Sequence, residues 1–216
     1  RLGWPIGVAM IAETGLFSAA AILVGWIGTQ ELAAHGIALE ISAMLFMVHL
    51  GVSNAATVLV GRARGAGDQI AMRAQARAAI GVSVGFALLT MVLYVTMGAQ
   101  IVGLFLSPDE PQRDAIIAIG ASFMLIAAVF QLADGAQVMA MGLLRGVQDT
   151  RVPMMIAAFS YWGVGLPCSW LLGIFLGFGG EGVWAGLVVG LSVAGLLLML
   201  RFWRGAGRRD ALPVTA

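Results

Sequence analysis

The chain has 216 residues, 60% hydrophobic and 11% charged, with a formal net charge of +1 and a mean hydropathy of +0.96. Soluble domains carry about 25% charged residues, so this is a membrane protein's composition, and the near-zero charge without a basic, aromatic face argues against a nucleic-acid partner. A single cysteine, Cys168 in an apolar run, excludes an intrachain disulfide and argues against a thiolate metal site.

Arg1 is not a start residue, and the first apolar run, Trp4 to Gly28, is too long for a signal-peptide core and contains Glu13. The chain is therefore expected to begin mid-protein, whereas RGAGRRDALPVTA at its end has the composition of a natural soluble terminus. Spanning a bilayer takes about 20 mostly apolar residues. Six segments qualify, at about 4–28, 35–60, 78–103, 115–144, 153–176 and 182–203. They predict an all-α integral membrane fold, a six-transmembrane-helix bundle over 1–203 followed by a cytoplasmic tail, 204–216.

The first span carries Glu13, and the connection after it is GTQELAA (28–34). The second carries Glu40, His49, Ser53 and Asn54 and ends in RARGAGDQIAMRAQAR (62–77), where Gly65 and Gly67 break the helix before Asp68 caps a new one. That new helix is expected along the membrane surface, with Arg73 and Arg77 on one face toward anionic headgroups. The third span contains Gly81 and Gly85, and SPDEPQRD (107–114) leads to the fourth. There Asp134 lies between Gln131 and Gln137, before a charged turn with Arg145, Asp149 and Arg151, and Pro153 suits the first turn of the next helix. Pro167 predicts a kink in the fifth span, and GFGGEG (177–182) opens the sixth, with Gly186, Gly190 and Gly195. These glycines permit close helix packing, and Trp4, Trp26, Trp184 and Trp203, near predicted ends, read as interfacial anchors.

An even number of spans puts both ends on one side. The connections 28–34, 107–114 and 177–182 hold only Arg113, while the other eleven arginines lie at the opposite ends. The positive-inside rule then places both termini in the cytoplasm, with the protein multi-pass in the cytoplasmic (inner) membrane.

Three carboxylates fall inside spans. At 1.5 Å per residue, Glu13 lies about 13 Å from Trp4, Asp134 about 15 Å from Leu144, and Glu40 about 8–10 Å from the outer end of its helix. A carboxylate at the bilayer centre costs roughly 2.5–3.5 kcal/mol and marks a functional site by default. Glu13 and Asp134 are therefore candidates for taking up a proton or holding Na⁺, the only metal expected, and Glu40 for an outer relay or gate. Gln131 and Gln137 line or orient the Asp134 carboxylate, His49 bonds a backbone carbonyl or relays protons, and Ser53 and Asn54 join helices. No phosphate-cradling glycine loop, no H-E-x-x-H and no nucleophile with a base is present, so a transporter without cofactor, rather than an enzyme, is expected.

The run MVHLGVSNAATVLVGRARGAGD (47–68) resembles the eighth helix and following loop of the multidrug and toxic compound extrusion (MATE) transporters, which tend to read M-V-P-x-G-x-S-x-A-A-[ST]-x-x-V-G-x-x-x-G-A-G-D. QLADGAQVMAMGLLRGVQDTRVP (131–153) resembles their tenth helix, with its L-R-G-x-x-[DN]-T pattern, and GVGLPCSWLLG and GVWAGL (182–187) resemble their last two. The resemblance covers essentially the whole chain as the C-terminal six-helix lobe of a twelve-helix transporter. It implies a secondary active antiporter exporting cationic or aromatic drugs against inward H⁺ or Na⁺, completed by a missing N-terminal lobe. It also implies that Glu13, Glu40 and Asp134 carry cation coupling or substrate contact. His49 stands where the family often has proline, and Phe130 stands where sodium-coupled bacterial members can have tyrosine, which favours H⁺. Two other readings are a flippase for lipid-linked or amphipathic molecules on a related fold, and a transport-silent membrane subunit.

Overall fold

The computed structural model describes residues 3–205; Arg1, Arg208, Arg209 and nearly all of the expected tail 204–216 lie outside the described residues. Six helices carry the chain: α1 (Gly3–Ile27), α2 (Thr29–Gly65), α3 (Gln69–Gly103), α4 (Arg113–Gly146), α5 (Arg151–Phe175) and α6 (Gly179–Gly205). Each is long and apolar enough to cross a membrane, and there is no strand among the described residues. Hydrocarbon offers the backbone no hydrogen bonds, so helices that satisfy themselves are the form these apolar runs take.

The helices overrun their apolar stretches. α2 starts at Thr29, so the expected connection 28–34 shrinks to Gly28, an extended residue at φ 177° and ψ 162°. α3 starts at Gln69 and runs unbroken to Gly103. The separate surface helix expected over 68–77 is thus absent. Asp68 does cap a helix, its Oδ1 accepting from Ala71 N–H at 2.8 Å, but that helix is α3 itself. Ala, Gln and Arg are good helix formers in any solvent, and nothing breaks the chain where hydropathy falls.

Two turns at the arginine-rich end share one geometry. After α2, Gly67 (φ 73°) donates to Arg64 O and Asp68 to Ala63 O, both at 3.0 Å. After α4, Gln148 (φ 60°) donates to Arg145 O at 3.0 Å and Asp149 to Leu144 O at 2.9 Å. Both are Schellman closures with a left-handed residue at the same place, on the related strings Arg64-Gly-Ala-Gly-Asp and Arg145-Gly-Val-Gln-Asp.

α4 is the central helix, packed against α2, α3 and α6. Its seam with α2 is built on small residues: Ser53 Oγ donates to Val138 O at 2.8 Å, Thr57 Oγ1 to Gly142 O at 2.9 Å, and Gly142 and Gly146 lie against the α2 backbone. A second seam joins α5 to α6, where Gly165 faces Gly190, Ser169 faces Gly186, and Gly173 faces Gly182, with Ser169 Oγ donating to Val183 O at 3.0 Å. Close backbone approach of this kind is how helices associate in lipid. Gly81 and Gly85 differ: nothing among the described residues lies against them.

Trp184 also departs from expectation. It is fully buried, with ring centroids 5.3 Å from Phe130, 5.7 Å from His35 and 6.2 Å from Phe123. α6 begins at Gly179, so Trp184 stands in its second turn, inside the bundle and not at an interface. Trp4 and Trp26 remain exposed. α5 carries two wide turns on either side of Pro167, at Phe159–Gly165 and Leu171–Phe175. In each, the N–H reaches the carbonyl five residues back: Leu166 N–H donates to Tyr161 O and Leu176 N–H to Leu171 O at 2.9 Å. Proline donates no bond and crowds the preceding turn, and local π-type widening is one of the ways a helix absorbs it.

Candidate functional site

The central position of α4 decides the environment of its polar stripe. Asp134 is 4% exposed, Gln137 2% and Gln131 0%, one turn apart on a single face. Gln137 Nε2 donates to the Tyr161 hydroxyl on α5 at 2.5 Å. Asp134 Oδ1, both amide atoms of Gln131 and Gln137 Oε1 have no hydrogen-bond partner among the described residues, and neither has Ser160 Oγ on α5. Buried polar atoms are nearly always paired, so such a cluster calls for an explanation.

Glu13 comes to this cluster from α1. It lies within electrostatic reach of Asp134, Arg145 and Tyr161. Packing fixes the approach: Phe17, one turn along α1 from Glu13, meets Phe130, one turn along α4 from Asp134. On the other flank, Trp162 Nε1 donates to Ala12 O at 3.1 Å, and its ring lies across Gly15. Side chains of α1 and α5 thus meet those of α4 beside two carboxylates, two amides and a phenol.

The donor set is all oxygen apart from the amide nitrogens. It suits a proton or a hard cation such as Na⁺ and not a soft metal. Among the described residues no three His, Cys, Asp or Glu side chains gather as a metal cluster.

The other sequence candidates fall elsewhere. Glu40 is exposed on α2, and the structure does not bring it to the Glu13–Asp134 pair. Asn54 is exposed on the same helix and is not part of the α2–α4 seam that Ser53 makes. His49 is buried, but its Nδ1 pairs with Ser83 Oγ on α3 at 2.7 Å and not with a backbone carbonyl. Its ring stands against Phe86 at 5.3 Å and beneath Gly135, the residue after Asp134. It is thereby a neighbour of the site through packing.

The sequence does not single out Tyr161 or Ser160, and it marks Arg145 only as part of a charged turn. The string Phe159-Ser-Tyr-Trp, polar groups inside an apolar span, was the available signal for the first two. For Arg145 there was none, because its proximity to Glu13 depends on how α1 and α4 pack.

A family model described as MatE matches residues 5–171. A probable multidrug resistance protein NorM from Rhizobium meliloti is 43% identical over 216 residues, which is 100% of this chain and 46% of that protein. One of the same description from Agrobacterium fabrum is 47% identical over 205 residues, 94% of this chain and 43% of that protein. The chain spans about half the length of the curated relatives it matches. A crystal structure of MATE in the bent conformation shares the fold, with a TM-score of 0.85 at 17% identity, over 100% of this chain and 48% of the other.

Proposed function

The chain belongs to the MatE family of membrane transporters, and on that premise we propose that it forms the C-terminal lobe of a cation-coupled antiporter that exports cationic or aromatic drugs. The observation that carries this reading is Asp134: a buried carboxylate on the central helix, within reach of a second carboxylate on another helix. Two neighbouring acids, one of them buried, cannot both stay ionised cheaply, and a proton or Na⁺ taken between them relieves the repulsion. Uptake draws α1 toward α4, and release loosens them, so the charge state of the pair is linked to helix arrangement. Phe130 leaves no hydroxyl one turn from Asp134, which favours H⁺ over Na⁺ as the coupling ion.

Along α2, Glu40, Met44, Met47 and Asn54 form one exposed stripe. This stripe is assigned to the central cavity, where methionines adapt to drugs of varied shape and Glu40 offers a counter-charge. Gln131, Gln137 and Tyr161 supply polar groups beside the Asp134 carboxylate, the last two bonded to each other, and His49 supports α4 from behind. The partner is a second six-helix lobe, the membrane is the cytoplasmic one, and the arginine distribution puts both ends of this segment in the cytoplasm.

The test is efflux of a fluorescent cationic dye from cells expressing the complete transporter, under an imposed pH or Na⁺ gradient and at matched membrane expression. Glu13→Gln and Asp134→Asn are expected to abolish gradient-driven efflux, and wild type is expected to follow the pH gradient. Normal pumping by both variants would overturn the assignment of the pair.

A further inference from the structure

A cavity of about 670 Å³ opens at the arginine-rich end of the bundle, between the end of α2, the α4–α5 turn and the end of α6. Its volume lies within the range of about 300–1,000 Å³ common to small-molecule sites. Three arginines from two helices line it, Arg64, Arg201 and Arg204, against one carboxylate, Asp149. Asp149 Oδ2 accepts from Arg201 Nε at 2.6 Å. That bond runs along one edge of the guanidinium, fixes its plane and leaves the terminal Nη groups to other acceptors. A guanidinium held in this way is already oriented for the paired bonds that arginine makes to phosphate oxygens. Arg64 and Arg204 are exposed beside it.

The wall is not uniformly polar. Leu197 and Leu200 also line the cavity, both about two-fifths exposed, and Leu196 beside them is more so. From the charged mouth, the apolar surface of α6 therefore continues toward the membrane. The cationic lining disfavours a cationic drug, and Leu144 at this cavity is about 15 Å along α4 from Asp134, so this is a different site from the carboxylate pair.

We propose that this cavity binds the phosphate of an anionic phospholipid, of the phosphatidylglycerol class, from the adjoining leaflet, with the arginines on the phosphate and an acyl chain along Leu197 and Leu200. Basic pockets between membrane helices hold such headgroups through this combination of charge and adjacent apolar surface.

The experiment uses the complete transporter, purified in a neutral detergent and stripped of lipid, with binding followed by native mass spectrometry. Dioleoyl phosphatidylglycerol, dioleoyl phosphatidylcholine and inorganic phosphate are the three probes. Phosphatidylglycerol is expected to bind about tenfold or more tighter than phosphatidylcholine, and Arg64→Gln with Arg204→Gln is expected to remove most of that preference. Both arginines are exposed, so the double variant is expected to melt as wild type does. If it melts lower, Arg204→Gln alone, with the same loss in part, takes its place. Equal binding of the two lipids, or an unchanged preference in a variant that melts normally, would overturn the proposal. Displacement of phosphatidylglycerol by millimolar inorganic phosphate would overturn the lipid assignment and mark the cavity as a site for free phosphate.

Discussion

Phe17 and Phe130 meet edge to face, with ring centroids 6.0 Å apart and planes at 66°. Each stands one helical turn from a carboxylate, Glu13 on α1 and Asp134 on α4. The aromatic contact therefore joins the two helices one turn from the acids they carry. Trp184 backs Phe130 at 5.3 Å, so the ring has no room to swing away without disturbing α6.

A hydroxyl on the Phe130 ring adds an oxygen one helical turn from Asp134. Phe130→Tyr in the complete transporter is expected to raise Na⁺-driven dye efflux relative to pH-driven efflux by about fivefold, the equivalent of one hydrogen-bonding ligand. The two gradients, imposed in turn on the same cells, give the ratio. No change in it would remove Phe130 from the choice of ion.

Tyr161→Phe deletes the partner of Gln137 Nε2 and leaves that amide buried. Such a loss costs about 1–3 kcal/mol. The variant is expected to melt earlier in detergent and to pump more slowly, while keeping the same driving ion. Complete loss of efflux with unaltered melting would give Tyr161 a direct part in ion transfer.

The contact between Gly165 and Gly190 leaves no space for a side chain, since a Cβ at Gly190 would lie 2.6 Å from Gly165 Cα. Gly190→Val is expected to cost about 1–3 kcal/mol or more through overpacking and to appear as aggregation in size-exclusion chromatography. Gly81→Val has nothing to strike among the described residues and is expected to elute as wild type does. If both elute normally, the α5–α6 seam has a slack that its geometry does not show.

Gln148 holds the left-handed position that glycine fills at Gly67 in the matching turn. A residue with a Cβ costs about 1 kcal/mol there. Gln148→Gly is expected to recover roughly that amount, seen as a higher thermal midpoint. A lower one would mean that the glutamine side chain contributes more than its backbone costs.

The six spans were legible because hydropathy is a local property, and the two acids were legible because a carboxylate in an apolar run is conspicuous without knowing its neighbours. Helix ends were less so: residues 29–34 and 69–77 are polar enough to leave the membrane yet remain helical, and hydropathy does not separate those two things. Asp68 was readable as a cap, but which helix it caps depends on whether α3 breaks. Trp184 sits near an element's end by number and at the bundle's centre by packing. The alliance of Glu13 with Tyr161 and Arg145, and of His49 with Ser83, comes from helices far apart in the chain, where no periodicity reports a contact.

The two wide turns of α5 make its numbering run ahead of its geometry. A wide turn takes in one residue more than an ordinary one, and one residue turns a helix by about 100°. Beyond each wide turn the helix thus presents a face that a regular count from Arg151 does not foretell. Ser169 and Gly173 reach α6 with that extra residue before them, and deleting any one residue from Phe159–Gly165 is expected to remove the wide turn and rotate both away from Gly186 and Gly182. The length of this segment is thereby as constrained as its composition: a substitution keeps the register of Ser169 and Gly173, but a gap does not.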